Sequence, residues 1–109
     1  MKTFGRVLTA MVTSFNSDGS VNIENCVTIA NHLLDNGSDG LVVCGTTGES
    51  STMDHDEHIE VIKYCVEKVA GRVPVIAGSG SNCTREAINI SKRAEEVGAN
   101  GLLCVTPYY

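Results

Sequence analysis

No apolar run in this chain reaches the roughly 18 residues that a membrane span needs. The opening segment, residues 1–6, lacks the layout of a secretory signal. Basic residues are few, with eight Lys and Arg scattered against 13 Asp and Glu, for a formal net charge of −5. That balance argues against nucleic acid as the main partner, and the lack of a long apolar run argues against a membrane. The five cysteines are odd in number and form no C-x-x-C pair, which argues against a disulfide scaffold and for a reducing compartment, the cytoplasm. Phosphate-binding signatures are missing too. Gly78-Ser79-Gly80 follows an apolar run, but Cys83 stands where G-x-G-x-x-G needs its third glycine, and there is no G-x-x-x-x-G-K.

What is present is enough apolar content for a core, 42% hydrophobic against 19% charged residues, in a length that suits one small domain. Unbroken apolar runs occur at Val7–Val12, Leu41–Cys44, Val73–Ala77 and Leu102–Val105. None alternates in and out, so each predicts a strand buried on both faces, as in a parallel sheet. Between them lie three segments of helical spacing. Ile23, Cys26, Val27, Ala30, Leu33 and Leu34 mark the first, Ile59, Ile62, Val66 and Val69 the second, and Ala87, Ile90, Ala94 and Val97 the third. Asp54 and Glu57 have capping-box spacing, and Gly37, Gly71 and Gly98 follow the helical runs as stop signals. The order is β-α-β-α-β-α-β, which means crossover units and an α/β fold.

Residues 37–43, Gly-Ser-Asp-Gly-Leu-Val-Val, are echoed by residues 98–104, Gly-Ala-Asn-Gly-Leu-Leu-Cys, 61 positions later. Two β-α units therefore take 61 residues, and eight would take about 240, the size of a (β/α)8 TIM barrel. With the phosphate loops absent, a barrel is favoured over a doubly wound sheet. Four strands and three helices leave open edges and an uncovered interior. The chain is accordingly expected to be the N-terminal half of a longer single domain, residues 1–109.

The working face of either architecture lies beyond the carboxyl ends of the strands. Residues 13–16, 45–50, 78–82 and 106–109 meet there, rich in hydroxyls and glycines and suited to a small anionic substrate. In residues 45–50, Gly-Thr-Thr-Gly-Glu-Ser, the threonines could pass a proton, or the segment could be a tight turn with hydroxyl caps. Tyr108 and Tyr109 could relay a proton without carrying charge, or pack in an interface. His55 and His58 lie i, i+3 on one helix face, as some metal ligands do, but no third ligand accompanies them. No Ser/His/Asp or Cys/His triad can be placed.

The combination of Gly45-Thr46-Thr47-Gly48-Glu49 with Val105-Thr106-Pro107-Tyr108-Tyr109 resembles the dihydrodipicolinate synthase family, and the resemblance runs from Gly5 to the last tyrosine. It departs at Ser14, where the family usually has proline. The resemblance implies a (β/α)8 barrel, a homodimer or homotetramer, without cofactor or metal. It implies condensation of pyruvate with aspartate 4-semialdehyde to 4-hydroxy-tetrahydrodipicolinate, on the route to diaminopimelate and lysine. A lysine forms a Schiff base with pyruvate, which requires a deprotonated amine. By matching position, Thr46 and Tyr109 belong to a catalytic proton relay, Tyr109 reaching in from a neighbouring subunit, and Thr46 and Thr47 to pyruvate binding. Ser50, His55, His58, Asn82, Glu86 and Tyr108 match the site where inhibitory L-lysine binds, with the histidines toward the side-chain amine and Glu86 and Asn82 toward the α-amino group. Lys2, Lys63, Lys68 and Lys92 all fall at the terminus or in helical segments. The Schiff-base lysine is therefore expected on a later strand, and the chain alone is expected to be inactive. Two alternatives stand. Sialic acid or 2-keto-3-deoxy sugar acid lyases share the pyruvate chemistry but tend to carry serine at the place of Thr46. A non-catalytic barrel that binds a keto acid would lack the later lysine.

Overall fold

The structure is a computed structural model and describes residues 4–108. Strands β1 (Leu8–Ala10), β2 (Gly40–Val43), β3 (Val75–Gly78) and β4 (Gly101–Leu103) alternate with helices α1 (Ile23–Asp35), α2 (His55–Val69) and α3 (Thr84–Glu96). The alternation and the apolar runs agree with the sequence reading. One short element escapes it, a 3-10 turn at Ser50–Thr52 ahead of α2.

The sheet runs β1-β2-β3-β4 with every pair parallel. Strand order equals chain order, whereas a doubly wound sheet reverses part-way. Helix α1 packs on α2 and α2 on α3, so the helices share one face. Successive β-α units that always step the same way, with helices outside, form the first part of a (β/α)8 barrel.

Register decides which residues each face receives. Leu8 pairs with Gly40, Ala10 with Val42, and Val42 with Ile76, so these share the face without helices. The opposite face carries Leu41, Val43, Val75 and Ala77, each no more than 1% exposed. From the helices, Cys26, Ala30, Ile62, Cys65, Val69, Ile90 and Ala94 close over it. Burial pushes the Cys65 thiol up to about 12 and raises those of Cys44 and Cys26 as well, so they act as small hydrophobes rather than nucleophiles.

The expectation that all four strands are buried on both faces holds for β2 and β3 only. Strand β1 is half-exposed and β4 is largely open, with Leu102 and Leu103 both exposed. Both are edge strands, and the interior face has no second layer against it.

Helix ends follow their signals. The Asp54 carboxylate accepts from Glu57 N at 2.8 Å, and Asn22 Oδ1 accepts from Asn25 N at 3.0 Å. Gly37, Gly71 and Gly98 have φ of 103°, 76° and 100°, the left-handed conformation that ends a helix. The echo in the sequence has a structural counterpart. Asp39 N donates to Val7 O while Asp39 Oδ2 accepts from Val7 N and Arg6 N. Asn100 N donates to Val75 O while Asn100 Oδ1 accepts from Val75 N. In each unit one short polar side chain ties the entry of a strand to its predecessor. Among the described residues, no helix is long and apolar enough to cross a membrane.

Candidate functional site

The carboxyl end of β2 leads into a strained turn. Cys44 adopts φ 57° and Glu49 φ 58°, left-handed values that cost a non-glycine residue on the order of 1 kcal/mol. Cys44 tolerates this because its surroundings fix it: its thiol donates to His58 O at 3.6 Å, and its carbonyl lies over Gly78. A Cβ at Gly78 would overlap that carbonyl, so the β2–α2 and β3–α3 loops can approach only with glycine there. Thr13, from the β1–α1 loop, donates to Gly48 O at 2.6 Å and is buried. Three loops are thus pinned together around residues 45–50.

This frame presents Thr46 and Thr47 as exposed residues at the end of β2. The Thr46 hydroxyl faces that of Tyr108 at 3.4 Å. Two neutral hydroxyls at that separation can hand on a proton once they close. Tyr109 lies outside the described residues. Lys63, Lys68 and Lys92 are exposed on α2 and α3, so among the described residues no lysine stands at a strand's carboxyl end.

Beside the threonines is a cleft of about 260 Å³, lined by Ser50, His55, His58, Asn82, Glu86 and Tyr108 together with Ser51, Met53, Gly80, Ser81 and Ile90. All six residues that the sequence reading grouped as an effector site meet in it. Ser50 opens the 3-10 turn, His55 and His58 come from the first turn of α2, Glu86 from the first turn of α3, and Asn82 and Tyr108 from loops.

The two histidines differ sharply. His58 is 3% exposed, and its Nε2 lies 2.6 Å from Gly78 O. A carbonyl only accepts, so Nε2 carries the proton and Nδ1 keeps its lone pair. Burial lowers the pKa of His58 from its ordinary value, against the opposing pull of the Gly78 hydrogen bond, and the ring is neutral near pH 7. His55 is on the rim, its Nε2 3.8 Å from the Glu86 carboxylate. Glu86 also accepts from Ser81 Oγ at 2.8 Å, and Ser81 in turn accepts from Cys83 N at 3.1 Å. Asn82 Oδ1 accepts from Tyr108 N at 2.6 Å, which leaves the Asn82 amide its Nδ2 donors. Sequence reading missed Ser81 as the residue that orients Glu86 and Cys44 as the strained hinge of the loop. Neither carries a motif, and only the spacing of Ser81 before the first turn of α3 hinted at the former. Among the described residues no three His, Cys, Asp or Glu side chains converge as a metal site would require.

Residues 3–109 match the Dihydrodipicolinate synthetase family. The chain belongs to that family. The 4-hydroxy-tetrahydrodipicolinate synthases of Synechococcus sp. (strain WH7803) and Bacillus subtilis (strain 168) are 53% and 51% identical to it over 106 residues. Those alignments cover 97% of this chain and 35% and 37% of the relatives. The chain therefore spans little more than a third of their length. The crystal structure of dihydrodipicolinate synthase from Bacillus anthracis superposes with a TM-score of 0.96 at 44% identity, covering 100% of this chain and 37% of that one. Two further family structures hold ligands. The Acinetobacter baumannii enzyme, chloride inhibited and complexed with pyruvate, has a TM-score of 0.94 at 40% identity over 98% of this chain and 37% of its own. The Cyanidioschyzon merolae protein with lysine bound has a TM-score of 0.93 at 46% identity over 97% of this chain and 36% of its own.

Proposed function

We propose that this chain is the N-terminal part of a cytoplasmic Schiff-base lyase of the lysine and diaminopimelate route. That enzyme condenses pyruvate with aspartate 4-semialdehyde to 4-hydroxy-tetrahydrodipicolinate as a homodimer or homotetramer, without metal or cofactor. The observation that carries the reading is the pair of hydroxyls, Thr46 and Tyr108, poised 3.4 Å apart at the carboxyl ends of β2 and β4 in a chain of this family.

In this reading Thr46 and Thr47 line the pyruvate site, and backbone N–H groups of the turn they occupy receive its carboxylate. Thr46 hands protons to and from the reacting centre, with Tyr109 of a neighbouring subunit as the next hydroxyl, while Tyr108, 3.4 Å from Thr46, joins this site to the effector cleft. A later strand supplies the lysine. Its amine must lose a proton before it attacks the pyruvate carbonyl, and the resulting imine then acidifies the pyruvate methyl group. The relay residues stay uncharged throughout, so they move protons without leaving a charge in the site.

The cleft beside them supports lysine as an effector. Glu86 supplies the one carboxylate, beside Asn82, for the α-amino group, and the neutral Nδ1 of His58 can accept from the side-chain ammonium group. The lysine-bound relative supports this reading by family.

Intact-mass spectrometry after incubation with pyruvate and borohydride tests the mechanism. The chain of 11.6 kDa is expected to gain no adduct, and a protein of its relatives' length that contains it is expected to gain one reduced pyruvate. No adduct on that longer protein would leave a keto-acid-binding barrel instead, and lysine failing to inhibit it would remove the effector role.

A further inference from the structure

We propose that Asn36 is a site of spontaneous deamidation, and that the fold protects the chain's other Asn-Gly step from the same reaction. Of the eight asparagines, only Asn36 and Asn100 precede a glycine. Glycine has no side chain to shield its backbone nitrogen. That nitrogen can attack the asparagine Cγ, forming a C–N bond and giving up its proton to solvent as ammonia leaves. Water then opens the resulting succinimide at either carbonyl and yields aspartate or isoaspartate. The net change is loss of ammonia and gain of water, one mass unit.

On sequence the two steps are equivalent, and the structure separates them. Asn36 is exposed and caps the end of α1, and Gly37 N reaches Leu34 O only at 3.4 Å. The Asn36 amide is held only at the surface and only within its own helix turn, from Nδ2 to His32 O at 2.8 Å and to His32 Nδ1 at 3.4 Å. Nothing lies within 4 Å of where a Cβ of Gly37 would stand, so there is room for the ring and for water. Helix ends open at small cost.

Asn100 is tied twice to Val75, by its own N–H and through Oδ1. Gly101 belongs to β4 and pairs with Ile76, and a Cβ there would stand 3.0 Å from the Phe4 ring. Its side chain reaches Gly101 N only after the β3–β4 register is undone.

Deamidation at Asn36 would place a carboxylate at the negative end of the α1 dipole and delete the donor to His32 O. The net charge would move from −5 to one unit more negative.

The native protein, aged at mildly alkaline pH, would be digested and mapped by mass and by an isoaspartate-specific methyltransferase, with a denatured sample alongside. The Asn36 peptide is expected to convert on the order of tenfold faster than the Asn100 peptide in the native sample, as the cost of opening a helix end against a strand pair dictates. In denaturant the two rates should meet. Asn36→Gln is expected to abolish the early acidic species. Equal native rates, or an acidic species that survives Asn36→Gln, would overturn the proposal.

Discussion

Replacing His58 by leucine removes the 2.6 Å donor to Gly78 O from a position only 3% exposed. A buried carbonyl deprived of its donor costs about 1–3 kcal/mol, offset in part by the apolar area that leucine buries. The same substitution also removes a pH dependence. His58 is neutral in the folded chain because burial lowers its pKa below the ordinary 6.5. Below 6.5 the unfolded chain takes up a proton that the folded chain refuses. Stability is thus fully present above 6.5 and falls with pH until the folded value is reached, by at most about 1.4 kcal/mol per pH unit for one proton. The assay is urea unfolding of the parent and of His58→Leu, taken from neutral pH down through 6.5. The parent is expected to start more stable and to lose its lead as the solution becomes acidic, so the two curves converge. His58→Gln keeps an amide donor without titrating and should retain much of the neutral-pH stability with a shallower slope. Parallel curves for parent and both variants would refute the buried, neutral ring.

Ile62→Ala, at a fully buried position of α2, is expected to cost about 2–5 kcal/mol in the same unfolding assay. Asp39 has its carboxyl held below the ordinary 3.8 by the backbone N–H groups of Val7 and then Arg6. Its contribution is present above that value and lost as pH falls through the lowered one. Asp39→Asn is therefore expected to flatten the acid limb of a thermal-unfolding profile while preserving one acceptor. In a protein of full family length, Thr46→Val should lower kcat on the order of a hundredfold in a coupled condensation assay, with borohydride trapping of pyruvate retained. Loss of trapping together with kcat would instead mark Thr46 as a binding residue alone.

The four strands were legible because buried parallel strands show as unbroken apolar runs, and α2 because Asp54 and Glu57 announce its start. The barrel was legible in the 61-residue echo, whose Asp39 and Asn100 prove to hold corresponding places in two units. Contacts between distant segments were not. Nothing in the local pattern around Cys44 signals a left-handed backbone, since that conformation is imposed by His58 and Gly78. The Thr46–Tyr108 approach joins residues 62 positions apart, and no periodicity reports it. Nor did spacing separate His55 from His58, which sit three apart on one helix but on opposite sides of the boundary between core and solvent. The open faces of β1 and β4 had the composition of buried strands because composition records what a strand is suited to meet, not whether it is met.

Because strand order equals chain order, every pairing joins neighbours along the chain: Leu8 to Gly40, Leu41 to Val75, Ile76 to Gly101. Each closure encloses a loop of similar length, so no step is much dearer in entropy than the last. The sheet can grow as the chain is synthesised, one unit at a time, with the newest strand docking on an edge already in place. Growth of this kind leaves an unpaired edge at every stage, first β2, then β3, then β4. The seam is where a growing barrel is most exposed to pairing with another molecule, and in this chain it is the exposed Leu102 and Leu103 of β4 that stand at it.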